Sequence, residues 1–449
     1  MRALILGAGE AGRFLAASLS HEAEVVIVDN DAAALLEAEE ALDVLVVQGD
    51  VTHRRVLERA EAHRADVAVA VTGSDAINVA AAVMAKAAGV GRTIARVDDP
   101  GFYHGQEGLE RNVAGIDACI CASRLVGREL LRLVGSVDAS FSASLGGGTA
   151  HVALLGIDEA SPLRGESPAK LRARSDGAAV RAVLRGGTLR AAHEVEALDE
   201  GDRVLVVGSP LAVTALIRKN RPSGRDRVAL VGGGDVGLQL ANMFATLSGD
   251  VRLVERSRAR CEDLAQLAPQ VAVLHGDGTN LSFLREERLG GADMVLAVTG
   301  SDEVNLMSSL LARELGVAHT FALVHRPGYT AVYEHLGLSG TTSAHEVMAH
   351  TLQGLLPGRE LVSASTLVGT DLELLELRVP PLRRPLPSRS LPLGPGAQVV
   401  AVIDHDEVTR LLEPNAEVDG GEHVVAVAPG HRRREILRAL RRLGTEGAG

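Results

Sequence analysis

Along the first 120 residues, short β-branched and aliphatic runs alternate with longer amphipathic stretches rich in Ala and Leu. Ala3–Leu6, Val25–Asp29, Val44–Val47, Val67–Thr72, Thr93–Val97 and Ala118–Ala122 have the length and composition of buried strands. The stretches between them carry helical spacing, and Val126–Val134 predicts a helix leading out of the region. Strand and helix in strict alternation predict a doubly wound parallel sheet. The pattern then changes. Val152–Ile157, Ala179–Leu184 and Val204–Val207 predict strands separated by Gly, Pro and Asp turns, with short helices over Pro168–Leu171 and Leu211–Lys219. This second pattern predicts a small α+β module.

The whole arrangement then repeats. Gly7-Ala8-Gly9-Glu10-Ala11-Gly12 returns as Gly232-Gly233-Gly234-Asp235-Val236-Gly237, 225 residues later. Val28-Asp29 returns as Val254-Glu255, and Gln48–Thr52 as His275–Thr279. Ala65–Asn78 returns as Ala292–Asn305 with nine identities in fourteen positions. Gly201–Val207 returns in the second small module as Gly421–Val427. Preserved order and nearly constant offset mean a tandem duplication. The expected organisation is a sheet domain over 1–120, a connecting helix over 121–140, a small module over 141–219 and a linker over 220–226. A second sheet domain (227–342), connecting helix (343–360) and small module (361–443) follow, the last with a proline-rich connection from Pro380 to Pro395. The fold class is α/β, two tandem Rossmann-like sheets each followed by an α+β module.

Each glycine motif follows a strand at once, opens a helix, and has an acid at the end of the next strand. In that setting the first glycine makes the tight turn, the second lets backbone approach a pyrophosphate, and the third lets helix pack on strand. Asp29 and Glu255 are placed to accept from ribose hydroxyls, which favours NAD or an unphosphorylated adenosine over NADP. Thr72, Gly73, Thr299 and Gly300 lie at the carboxyl ends of the fourth strands, where ligands dock in such sheets. Two roles are open to Asp50 and Asp277: approach to the adenine, or capping of the next helix. The copies differ in their cations. Arg13 and Arg96 lie near the phosphates expected in copy one, where copy two has Leu238 and Leu323, with Arg326 three residues beyond. Two unequal sites are expected, the first stronger for a polyphosphate.

Composition narrows the function classes. A formal charge of −12 disfavours general attraction to nucleic acid or to an anionic membrane surface. With no Trp, three Tyr and six Phe, the cores must be aliphatic. Three cysteines without paired spacing argue against a disulfide framework and for a reducing cytoplasm. Cys119 and Cys121 sit two apart on a strand and should both face a core. The apolar runs are far shorter than the ~20 residues of a spanning helix, and the N-terminal run, interrupted by Gly7, reads as a strand rather than a signal peptide. His345 and His350 are five apart, about 140° around a helix, so they do not form the paired ligands of a zinc protease helix. A dehydrogenase would need a proton-transfer residue facing the nicotinamide, and the small modules offer no recurring His, Lys or Tyr. No catalytic residue and no metal site is therefore expected. A cytosolic NAD-dependent oxidoreductase is the alternative to a nucleotide-binding protein.

The duplicated glycine motif, the acid ending strand two, Ala-Val-Thr-Gly-Ser-Asp, Ile94–Val97, and Pro162–Gly165 followed by Gly201–Val204 resemble the TrkA-like tandem RCK (KTN) proteins, peripheral subunits of Trk-type potassium uptake systems. The resemblance runs from Met1 to about Arg442 in the same order of four modules. It implies that each small module is an RCK C-terminal module. It also implies a homo-oligomeric ring, a tetramer, docked on the inner face of the membrane against an integral-membrane potassium channel subunit of TrkH/TrkG type. NAD(H), and ATP or ADP, would bind the Rossmann lobes and gate potassium entry. Carried over by position, the contacts are Gly7–Ala11, Asp29, Thr72, Gly73, Arg96, Gly232–Val236 and Glu255. Copy two departs from the pattern at Leu323, at Ser339 in place of Asp117, and in the insertion near Pro385.

Overall fold

The structure is a computed structural model. It describes residues 1–20, 23–99, 102, 109–168, 171, 177–220, 227–247, 250–326, 329–355, 360–367, 369–404, 409–410 and 416–448. Most of the linker expected over 220–226, and half of the helix expected over Pro168–Leu171, lies outside the described residues. The chain divides into two compact units, Met1–Val126 with Ala344–Leu352, and Gly127–Ser343 with Gln353–Gly449.

The first unit is built on β1 (Arg2–Leu6), β2 (Glu24–Asp29), β3 (Leu45–Gln48), β4 (Val67–Ala70), β5 (Arg92–Arg96), β6 (Leu109–Val113) and β7 (Ile116–Ile120). Their order is β3-β2-β1-β4-β5-β7-β6. All pairs are parallel except β6 with β7, an antiparallel edge that the sequence pattern did not suggest. β1 and β4 are buried at every position, as strands covered on both faces must be. Strand order reverses between β1 and β4, so the connections leaving them diverge and open a crevice at their carboxyl ends. Cys119 and Cys121 are both buried in this aliphatic core, as expected.

The second unit contains both small modules. β8 (Phe141–Leu145), β9 (Ala150–Gly156), β10 (Ala178–Arg185), β11 (Thr188–Ala191) and β12 (Arg203–Gly208) form an antiparallel sheet in the order β11-β10-β12-β9-β8. Helix Pro210–Lys219 packs on it, capped by Ser209 with Pro210 in its first turn. The edge strands β8 and β11 carry few buried residues and were missed in the sequence for that reason.

The second Rossmann sheet comprises β13 (Arg227–Val231), β14 (Asp250–Glu255), β15 (Ala272–His275), β16 (Met294–Ala297), β17 (His319–Val324) and β18 (Gly340–Ser343). It is wholly parallel, ordered β15-β14-β13-β16-β17-β18. The last module has β19 (Leu361–Thr366), β20 (Leu372–Arg378), β21 (Leu386–Pro387), β22 (Gln398–Ile403), β23 (Thr409–Arg410), β24 (Glu417–Val418) and β25 (His423–Pro429). Pro380–Pro395 is an ordered strap here: β21 pairs with β24, and Leu391 and Leu393 are buried in the module's core.

Two features of assembly were not legible in the sequence. The connecting helices are exchanged between copies. Gly127, on helix Ala122–Ser136 of copy one, packs against Gln239, Leu240 and Met243 of copy two. Helix Ala344–Leu355 of copy two belongs through Leu352 to the first unit, where the His345 ring lies 5.7 Å from that of Phe14. The small modules also share one core, in which Val152, Leu154, Leu205 and Val207 meet Leu374, Val400, Val425 and Val427. Irregularities in β10 and β22 join them: Arg181 Nε donates to Val400 O (2.9 Å), and Gln398 Nε2 donates to Arg181 O (3.1 Å).

Candidate functional site

The three glycines of each motif answer to different demands. Gly7 (φ +122°) and Gly232 (φ +109°) hold left-handed backbone at the strand-to-helix turn, where a side chain would be strained. A Cβ on Gly12 would collide with the carbonyl oxygen of Gly7, and one on Gly237 with that of Gly232. Those four positions serve the fold. Gly9 and Gly234 do not: a Cβ built on either meets nothing within 4 Å. The protein's own packing does not require the middle glycine in either copy, and its bare backbone faces open space. Gly73 and Gly300 are equally open.

The strand-two acids lie beside these loops. Asp29 accepts from Ala8 N (2.6 Å) and Asp31 N (2.9 Å); Glu255 accepts from Gly233 N (2.8 Å) and Ser257 N (2.7 Å). Each carboxylate thus fixes the second residue of the glycine loop and stands at the crevice mouth. The carbonyl of that same residue is held by an arginine in both copies, from different helices. Arg13, in the first helix of copy one, donates to Ala8 O (3.1 Å) and pairs with Glu37 (3.2 Å). In copy two Leu238 replaces it, and Arg260 of helix Arg258–Leu267 donates to Gly233 O (2.8 Å) and lies 3.6 Å from Asp235. The cation that the sequence appeared to lack in copy two is supplied from a position where copy one has Ala34.

The far wall is set by a buried asparagine in each copy. Asn78 Oδ1 accepts from the Thr72 amide and hydroxyl (both 2.7 Å), and its Nδ2 donates to Thr72 O (3.2 Å) and Arg96 O (3.0 Å). Asn305 repeats this with the Thr299 amide (2.8 Å), its hydroxyl (2.7 Å), Thr299 O (3.0 Å) and Leu323 O (2.9 Å). Four satisfied bonds at a fully buried side chain lock the Thr-Gly segment to the end of the neighbouring strand. Asp75 and Asp302 hold the next loop, accepting from the amides of Asp98 and Asp99 and of His325 and Arg326. Both asparagines stood in the repeated segment, but only their burial reveals what they do.

Other expectations are met differently. Asp50 and Asp277 do not cap the following helices, whose N-caps are His53 and Asn280. They close a turn, each accepting from the amide and hydroxyl of the threonine two residues on, and those bonds hold both carboxyls below the usual range. Arg96 is paired with Asp98 (3.1 Å). Arg326 turns to Glu303 (3.3 Å) and the Tyr329 hydroxyl. Ser339 takes over the structural task of Asp117: Thr93 N donates to Asp117 (2.7 Å), and Thr320 N donates to Ser339 Oγ (3.2 Å). In copy two, Gly232–Gly234, Glu255, Arg256, Asp277, Thr279 and Thr299–Ser301 line one cleft of about 450 Å³. Such a cleft, with two glycine-bearing loops, an acid at its mouth and arginines beside the loop, has the size and chemistry to hold a nucleotide by its phosphates and sugar. Among the described residues no group of three or more His, Cys, Asp or Glu could hold a metal ion.

Comparison with known proteins agrees with this geometry. The TrkA-N domain family matches residues 3–122 and again 228–344. A Trk system potassium uptake protein trkA homolog 1 of Methanosarcina mazei is 34% identical over 386 residues, covering 84% of this chain and 94% of its own length. The Trk system potassium uptake protein TrkA of Halomonas elongata is 27% identical over 459 residues, covering 99% of each. Among solved structures, the GsuK RCK domain superposes with a TM-score of 0.58 at 20% identity, covering 98% of this chain and 95% of that one. The GsuK channel bound to NAD gives the same score and covers 98% of this chain and 79% of its own.

Proposed function

This chain belongs to the TrkA family of potassium uptake proteins, and from that premise we propose that it is the nucleotide-sensing gating subunit of a Trk-type potassium transporter. The family relatives are named for potassium uptake rather than for a reaction, and the chain is a regulatory protein rather than an enzyme. No helix among the described residues is long and apolar enough to cross a membrane, so the ion path belongs to a partner, an integral-membrane potassium channel subunit of TrkH/TrkG type. The chain works at the inner face of the membrane as a homo-oligomeric ring, a tetramer.

The observation that carries the reading is the openness at Gly9 and Gly234, beside an acid in each copy. The ligands are NAD(H) and ATP or ADP; GsuK structures with NAD and with ADP support that class. On binding, ribose hydroxyls compete with the loop amides for Asp29 and Glu255, while the pyrophosphate takes the amides of Gly9–Ala11 and Gly234–Val236. Binding there biases the ring only as far as one ring state holds the nucleotide better, and a tenfold difference supplies about 1.4 kcal/mol. Calorimetric titration with NADH, NAD, ADP and ATP tests the sites. Wild type should bind, and Gly9→Asp with Gly234→Asp should abolish binding without loss of fold, because a Cβ at either position meets no protein atom within 4 Å. Undiminished binding in the double variant, or turnover of nicotinamide with any metabolite, would contradict the reading.

A further inference from the structure

The two crevices differ in charge in a direction opposite to the one the phosphate-facing arginines Arg13 and Arg96 suggest by themselves. Matched by position, Asn30 becomes Arg256, Ala34 becomes Arg260, Asp98 becomes His325 and Asp99 becomes Arg326. With Asp31 also becoming Ser257, five positions are more positive in copy two, whereas Arg13, Arg96 and Ala76, which becomes Glu303, are more positive in copy one. Arg13 is committed to Glu37 and the loop carbonyl and Arg96 to Asp98, while in copy two Arg326 is committed to Glu303 and Arg260 to the loop carbonyl beside Asp235.

The acid at the start of each first helix sharpens the contrast. Glu10 and Asp235 both stand where a phosphate would meet the helix N-terminus and would repel it. Asp235 has Arg260 at 3.6 Å, whereas no ion pair reaches Glu10 among the described residues. Arg256 lines the second cleft directly, next to Glu255. His325 stands where copy one has a carboxylate, its Nε2 2.9 Å from Thr299 O.

Nucleotides differ in the same variable. The pyrophosphate of NAD is a diester with a single charge on each phosphorus, whereas the terminal phosphate of ADP or ATP carries up to about two. A crevice mouth rich in carboxylates tolerates the first and rejects the second. Resting on the reading of both crevices as nucleotide sites, we propose that the second lobe is the one selective for a nucleoside polyphosphate, with Arg256 as the specificity-determining residue and Arg260 as its positioning neighbour. The first lobe is selective for the dinucleotide.

The test uses the full chain with one lobe blocked at a time. Gly9→Asp leaves only the second lobe and is expected to favour ATP over NAD by about tenfold or more; Gly234→Asp leaves only the first and should reverse that order. In the Gly9→Asp background, Arg256→Gln should weaken ATP by about tenfold and NAD by less than about threefold, with a shallower salt dependence for ATP. ATP bound tightly by Gly234→Asp but not by Gly9→Asp would overturn the proposal, as would Arg256→Gln weakening ATP and NAD alike. Binding that persists when both lobes are blocked would overturn it too, and that result alone would also remove the nucleotide reading on which it rests.

Discussion

The two Rossmann lobes hold the same loop peptide in the same way, yet they take the arginine from different helices. In copy one Arg13 reaches Ala8 O from the glycine-loop helix; in copy two Arg260 reaches Gly233 O from the helix after the acid. The buried asparagines, the aspartates over the next loop and the acids on the loop amide are by contrast unchanged. The bonds that hold the loops have been kept one for one, while the charge around them has been redistributed. A duplicated sensor can diversify in this way without rebuilding its core.

The largest effect should separate glycines that serve the fold from those whose proposed task is to face a nucleotide. Gly12→Ala or Gly237→Ala drives a methyl into a backbone carbonyl and is expected to destabilise its own lobe by about 3 kcal/mol or more, read by urea unfolding. Gly9→Ala and Gly234→Ala should change stability by less than about 0.5 kcal/mol. A large loss at Gly9 would mean that the open space there is needed by the protein itself.

Next come the asparagines. Asn78→Ala or Asn305→Ala leaves a half-buried threonine amide and its hydroxyl without their asparagine partner, at a cost of about 2 kcal/mol. Hydrogen exchange at Thr72 or Thr299 should accelerate only in the lobe that was altered. Equal losses in both lobes would break the claim that each asparagine acts locally.

A pH dependence distinguishes the small modules. Burial, aided by the nearby Arg132 guanidinium, pushes His151 of the first module down to about 3, and its Nε2 is 2.8 Å from Ser142 Oγ. Below its ordinary value near 6.5 the unfolded chain takes up a proton that the folded chain refuses. Stability therefore falls as pH drops from about 6.5 toward 3. His151→Gln should flatten that fall in the melting curve by a few degrees, roughly 2–4 °C for each kcal/mol removed. An unchanged pH profile would show that other groups set it.

The smallest effect is the exchange of arginines. Arg260→Ala should weaken nucleotide binding to the second lobe by about threefold through a looser loop, and Leu238→Arg in the same chain should restore it. Failure of that rescue would mean that the two arginines are not equivalent supports.

Much of this was legible in the sequence, and the rest was not for physical reasons. Gly7, Gly12, Gly232 and Gly237 announce themselves because only glycine fits, and Asp29 and Glu255 because the motif fixes their distance from the loop. Arg260 was invisible because its contact to Gly233 joins residues 27 apart on separate elements. The sign was there, since Arg13 becomes Leu238 where Ala34 becomes Arg260, but only three dimensions link the two changes. Asn78 and Asn305 could be seen to repeat, but not to be buried. The exchanged helices and the joint core of the small modules were hidden because aliphatic faces do not specify which partner they will cover.

Potassium flux through the purified complex of this chain with its membrane partner, reconstituted in vesicles and titrated with NADH and ATP, tests the two lobes most directly. Wild type should give a flux that changes with nucleotide, and the Gly9→Asp, Gly234→Asp double variant a flux indifferent to both at the same complex stoichiometry. A nucleotide response that survives in the double variant, or its absence from wild type, would contradict the claim that these two lobes are the sensor.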